Sequence, residues 1–256
     1  LRVRPGTIEE KVEKLRELQL RASAEQRADF DYRLDISWIH HDNSIEGTVF
    51  EPHELIGALQ NKPVTDAALV PVYDEIRQYK AAIDLIRDLA GKKKEEITLD
   101  TIKAIYNTLA PEDADAKGPP KYRKDMPLHR VYFHEIATPD KIPAQMKALL
   151  QWLASDEVRR TSHATRIAAK AHYQLLHIFP FAKHSGQVAR LLMNLLLLRE
   201  GYPPAILHST DRQRYYDALK TSSDAVATVV NEALENGVDS ATRYWNRLFG
   251  IDEEVE

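Results

Sequence analysis

TRIAAKAHYQLLHIFPFAKHSGQVARLLMNLLLLREGYPP, residues 165 to 204, decides the fold of this chain. Ile167, Ala171, Leu175 and Ile178 recur at helical spacing, and after a short Pro-containing loop Val188, Leu191, Leu192, Leu195, Leu196 and Leu198 are apolar on more than one face. A helix of the second kind has to be buried. The stretch therefore predicts two packed core helices with a rigidly held loop between them, Phe179-Pro180-Phe181-Ala182-Lys183-His184-Ser185-Gly186.

The loop leads into a helix start. Ser185 reads as the N-cap of a helix beginning near Gly186, where unpaired N–H groups carry a partial positive charge. Lys183, His184 and, one turn further in, Arg190 add cations around the same point, so the helix start is furnished as an anion site, most naturally for phosphate. An ordinary capped helix with a few solvated cations is the alternative that the residues leave open.

The segment resembles the signature loop of the Fic (Fido) family, His-Pro-Phe-x-Asp/Glu-Gly-Asn-Gly-Arg-x-x-Arg. Pro180, Phe181, Gly186 and Arg190 match it. Phe179 stands at the histidine, Lys183 at the acidic position, His184 at the first glycine, Ser185 at the asparagine and Gln187 at the first arginine. The resemblance implies an enzyme that moves a nucleoside monophosphate from ATP onto a protein hydroxyl, with the histidine as general base and the acidic residue associated with Mg²⁺. Phe179 has no lone pair with which to take a proton. Lys183 puts a cation where a hard cation needs an oxygen ligand, Gln187 brings no charge to a phosphate clamp, and His184 adds a side chain where glycine lets backbone approach. We expect Gly186, Arg190, Lys183 and Gln187 to be what remains of an anion or nucleotide site.

A different catalyst would need His184 as base and Ser185 as nucleophile. Adjacent residues in a tight turn seldom face one another, and no third group is identifiable to orient the histidine. His172 and His177 are five residues apart without an HExxH pattern, and read as core or loop-bracing histidines instead of metal ligands. No metal site is expected.

A second segment, ISWIHHDNSIEGTVFEPHEL, ends a helix in polar residues and Gly47. It resembles the family's inhibitory motif, Ser/Thr-x-x-x-Glu-Gly/Asn, whose glutamate pairs with the second signature arginine. Glu46 and Gly47 match and Asp42 stands at the Ser/Thr. The resemblance implies a Glu46–Arg190 pair, which reads either as a brake over a nucleotide's γ-phosphate position or as a counter-charge for a buried arginine. On the second reading, truncating either partner of a buried pair costs about 3–5 kcal/mol.

Around these segments the 256 residues carry 35 basic and 39 acidic side chains, a net charge of −4, 43% hydrophobic residues and no cysteine. The charge balance points away from nucleic acid and anionic membrane, and the lack of cysteine fits a reducing, cytoplasmic setting. LLMNLLLL is too short to span a membrane. A charged amphipathic helix is predicted from Ile8 to about Asp35, and further helices over HELIGALQNK, ALVPVYDEIRQYKAAIDLIRDLA and ITLDTIKAIYNTLA, the last capped near Thr98 or Asp100.

The Pro-rich stretch from Pro111 to Pro143 holds one alternating piece, Arg130-Val131-Tyr132-Phe133, that reads as a strand. It resembles the family's flap, a β-hairpin that aligns an extended target segment, so a protein partner is expected there. Helices then close the chain, with the Tyr215-Tyr216 pair read as packing. The expectation is a mainly α, single Fic-like domain over 1–256 with a short β-hairpin flap, N-terminal helices over 1–100 and a Fic core over 101–256. Functionally it is a degenerate binding or scaffold module with at most a weak hold on ATP and Mg²⁺. The alternative is a nucleotidyltransferase using a non-standard base. Homo-oligomerisation stays open.

Overall fold

The computed structural model describes residues 6–114, 121–127 and 133–251. Eleven α-helices run through them: α1 Ile8–Arg21, α2 Ala24–Glu46, α3 Pro52–Leu59, α4 Val70–Gly91, α5 Leu99–Leu109, α6 Ile142–Ala154, α7 Asp156–Thr161, α8 Ala164–Ile178, α9 Ser185–Arg199, α10 Arg212–Thr221 and α11 Ser223–Phe249. Among the described residues there is no strand. Arg130, Val131 and Tyr132 of the expected flap lie outside the described residues.

The predicted core pair is α8 and α9. Helix α9 is buried almost all round, from Ser185 to Leu195, and packs on α8 and α4 with α5 and the end of α2 at its first turns. Helix α8 turns its other faces to α11 and α6. Burying an all-round apolar helix needs such a complete ring of neighbours, which the amphipathic helices supply.

Two expectations need correction. The predicted helix from Ile8 to about Asp35 is two helices, because Ser23 accepts from the Gln26 N–H while Gln26 reaches back to the Ser23 N–H. That capping box starts a new helix in the middle of the periodic stretch. Ser185 is not the N-cap of α9: His184 is, in the left-handed region at φ 60°, and its side chain makes no capping bond. Thr98, of the two candidates, caps α5.

Helix α2 ends where its sequence said it would. Gly47 sits at φ 100°, with its N–H on Ser44 O at 3.1 Å and the Thr48 N–H on Asn43 O at 3.0 Å. This paired closure needs a left-handed residue, which glycine adopts without a Cβ penalty. It leaves Glu46 as the last helical residue, aimed at the start of α9.

Candidate functional site

Three stretches meet at the α8–α9 loop: the loop itself, the last two turns of α2, and the segment around Arg123. Phe179 ends α8 in the left-handed region, φ 47° and ψ 63°, its N–H on Leu175 O at 2.8 Å. An aromatic residue before proline is strained there, so the conformation persists only because the surroundings hold it. Arg123 does this. Its Nε donates to Phe179 O at 2.6 Å, its backbone N–H to Pro180 O at 2.9 Å, and Nη2 to the carbonyls of Ile178 at 3.3 Å and of Ala137. The cation also lies at the negative end of α8. The Phe179 ring is buried, and Phe181 is buried in a stack on Tyr106, ring centroids 3.9 Å apart.

Ser185 closes the loop on itself: Oγ donates to Phe181 O at 2.9 Å and accepts the Phe181 N–H at 2.8 Å. It is buried and fully engaged, a poor place for a nucleophile. The His184 Nδ1 is bonded to Gln187 Oε1, whose Nε2 donates to Asn43 Oδ1 at 2.7 Å. Asn43 Nδ2 in turn donates to Ile39 O at 2.7 Å. Gln187 is therefore spent on a bridge between α9 and α2. Lys183 is exposed and pairs with Glu112 at 3.5 Å. Of the residues expected to hold an anion, Gly186, Gln187 and Arg190 come together, while Lys183 faces Glu112 at the surface.

Arg190 is 2% exposed and takes two carboxylates. Nε donates to Asp42 Oδ1, and Nη2 to Glu46 Oε1 at 2.8 Å and Asp42 O at 3.4 Å. The second Asp42 oxygen accepts from Tyr79 Oη. A Cβ on Gly186 would collide with Glu46 Oε1 and lie 2.9 Å from Glu46 Cδ and 3.2 Å from Arg190 Nη1. Gly186 is thus what lets the Glu46 carboxylate settle on the first turn of α9, the place where a helix start attracts an anion.

The charges follow from these contacts. Burial works against the Arg190 charge, but Asp42 and Glu46 overcome it and hold the guanidinium protonated. Burial pushes Asp42 up to about 6, with Arg190 opposing and Glu46 adding to the shift. His172 is buried with Nε2 on Tyr215 Oη at 2.8 Å, and burial, then the Arg190 charge, keep it neutral. His177 is half-buried with Nδ1 on Tyr173 O at 2.9 Å. Both histidines brace the core, as does Tyr216, whose Oη donates to Ile45 O at 3.3 Å beside Arg212 Nε at 2.8 Å.

Neither Mg²⁺ nor a nucleotide phosphate fits the residues as they stand. Asp42 and Glu46 are committed to Arg190, Lys183 occupies the acidic position, and Glu46 fills the helix start. Among the described residues no group of three or more His, Asp or Glu could hold a metal ion, and no helix is long and apolar enough to cross a membrane.

Sequence reasoning missed Arg123, Asn43 and Tyr79 as parts of this site. Arg123 lies in a Pro-rich stretch without periodicity, and nothing local marks it. Tyr79 lies in the middle of α4, far along the chain from both motif segments. Asn43 sits inside the Glu46 segment, and its partner Gln187 became meaningful only once α2 and α9 were seen to touch.

Comparison with known proteins meets this geometry. Residues 96–197 match the family model described as Fic/DOC family. The chain is 31% identical over 191 residues to protein adenylyltransferase Fic of Culex quinquefasciatus, covering 74% of this chain and 37% of that protein. It is 30% identical over 185 residues to the protein of the same name from Nematostella vectensis, covering 72% and 42%. It spans less than half the length of these relatives. A Fic domain containing signaling protein from Bacteroides thetaiotaomicron superposes with a TM-score of 0.79 at 22% identity, covering 96% of this chain and 99% of that one. Fic-1 from C. elegans superposes at 0.73 and 23%, covering 91% and 69%. The helical frame around the loop is that of these structures, the motif-bearing region is the one the family model matches, and the chain belongs to the Fic/DOC family.

Proposed function

We propose that this chain is a degenerate Fic protein that does not transfer AMP by the family route and keeps the fold as a binding or scaffold module. One observation carries the reading: the position at which the family pattern has its base is Phe179, buried and held by Arg123 through its own carbonyl. A phenyl ring accepts no proton. The substitute catalysts are not arranged as base and nucleophile, since the Ser185 hydroxyl is engaged with the Phe181 backbone and His184 Nδ1 with Gln187. We read 1–256 as one domain and the partner as a protein, met around Arg130–Phe133; of these residues Phe133 packs against Tyr216 at 4.6 Å.

The test is incubation of the wild type and Glu46→Gly with ATP labelled on the α-phosphate, Mg²⁺ and a cell extract. No label on protein is the expected result for both; label transferred by either overturns the proposal. For the partner, Tyr132→Ala should abolish co-purification of a partner chain, and unchanged co-purification removes that segment from the reading.

A further inference from the structure

Glu46 holds only one edge of Arg190. The Nε edge faces Asp42, which is 4% exposed, accepts from Tyr79 through its other oxygen and takes Nη2 on its main-chain carbonyl at 3.4 Å. Asp42 lies one turn before Glu46 on α2, so the two carboxylates share a face of the helix. Asn43, between them, fastens the same turn to Gln187 at 2.7 Å.

A count of charge shows what this means. One guanidinium and two carboxylates leave this buried cluster with a net negative charge. Removing Glu46 still leaves the guanidinium neutralised. Where the inhibitory pattern has Ser or Thr, a hydroxyl would bond the arginine without cancelling it, and loss of the glutamate would expose a free positive charge. A carboxylate at that position does not permit this.

We propose that Asp42 is a second lock on the anion place, independent of Glu46, so that withdrawing Glu46 alone does not open the start of α9 to phosphate. The proposal rests on the reading of that place as an anion site closed from within. It concerns which residue sets the affinity for an anion, and it is separate from the question of transfer. Asp42 is then the affinity-determining residue of the site, Glu46 the outer cover, and the Gln187–Asn43 bond the fastening that keeps both in register.

The test is titration with inorganic phosphate and with ATP·Mg²⁺, by calorimetry, of the wild type, Glu46→Gly, and the doubles Asp42→Asn/Glu46→Gly and Asp42→Ser/Glu46→Gly. Glu46→Gly should bind no better than the wild type, and the doubles should gain about tenfold or more once the interior negative charge is gone. Equal binding by Glu46→Gly and the doubles, or no gain in doubles shown to be folded by near-ultraviolet circular dichroism, overturns the proposal.

Should the doubles not fold, the Arg190 Nε–H resonance of Glu46→Gly decides. Its persistence with slow exchange supports the second lock, and its loss overturns it. Label transfer by any variant would sink the module reading while leaving this one standing; tight phosphate binding by Glu46→Gly alone would do the reverse.

Discussion

Two arginines are buried within one loop's reach of each other, and they are neutralised in opposite ways. Arg123, 5% exposed, faces main-chain oxygens and a thioether among the described residues: the carbonyls of Phe179, Ile178, Ala137 and Asp125, and Met126 Sδ at 3.5 Å. Arg190, 2% exposed, faces two carboxylates. Burial lowers the Arg123 pKa with no carboxylate among the described residues to offset it, whereas Asp42 and Glu46 raise that of Arg190 against its own burial. A guanidinium clamped by carbonyls fixes the shape of the chain, because each bond names a backbone position. One clamped by carboxylates sets a charge balance, which a proton, a substitution or a competing anion can alter.

The contrast can be broken most forcefully at Arg190. Arg190→Ala strands two carboxylates in the interior and should cost about 3–5 kcal/mol in urea unfolding. Glu46→Ala should cost less than half as much, about 1–2 kcal/mol, because Asp42 still answers the guanidinium. Equal losses would mean that Asp42 does not answer the guanidinium and that Glu46 carries the pairing.

Arg123→Ala removes charge-assisted bonds from several carbonyls and should cost about 2–3 kcal/mol. Unlike the changes at Arg190, it should leave the pH dependence of stability unaltered, and a changed profile would refute the division drawn between the two sites.

At the Arg190 cluster the pH dependence belongs to Asp42. Its folded pKa of about 6 lies above the ordinary 3.8, so the folded state holds an extra proton between those values. The stabilisation is complete below the unfolded pKa and is lost as pH rises through about 6, a change of about 2–3 kcal/mol. The wild type should therefore lose stability relative to Asp42→Asn between pH 4 and 7, and a constant difference between the two melting curves would contradict the assignment.

The smallest expected effect is that of Tyr79→Phe, about 1 kcal/mol for one hydrogen bond to Asp42. A neutral outcome would place the weight of that carboxylate on Arg190 alone.

Helix positions were legible because periodicity and caps are local. The all-apolar stretch of α9, Gly47 at the end of α2 and Thr98 before α5 each state their structure within a turn or two. The same locality explains the failures. A stripe from Ile8 to about Asp35 does not announce that Ser23 and Gln26 cap a new helix inside it, since both residues also suit a solvated helix face. Ser185 has the chemistry of an N-cap, yet its hydroxyl turns back to Phe181 and His184 takes the cap position.

By itself, then, the sequence determined which residue types stand at the signature positions: a phenyl ring at Phe179, which has no lone pair wherever the chain places it, and a lysine at Lys183 where the pattern has a carboxylate. It also determined that a buried helix follows the loop. Only the tertiary structure decided which charges meet. Arg190 lies 148 residues from Asp42 in the chain and Gln187 lies 144 from Asn43, and no local pattern reports contacts across such separations. Arg123 shows the same limit: it became the fastening of the loop because the ends of α8 and of the Pro-rich segment were folded together, where unpaired carbonyls in a dry interior require a donor.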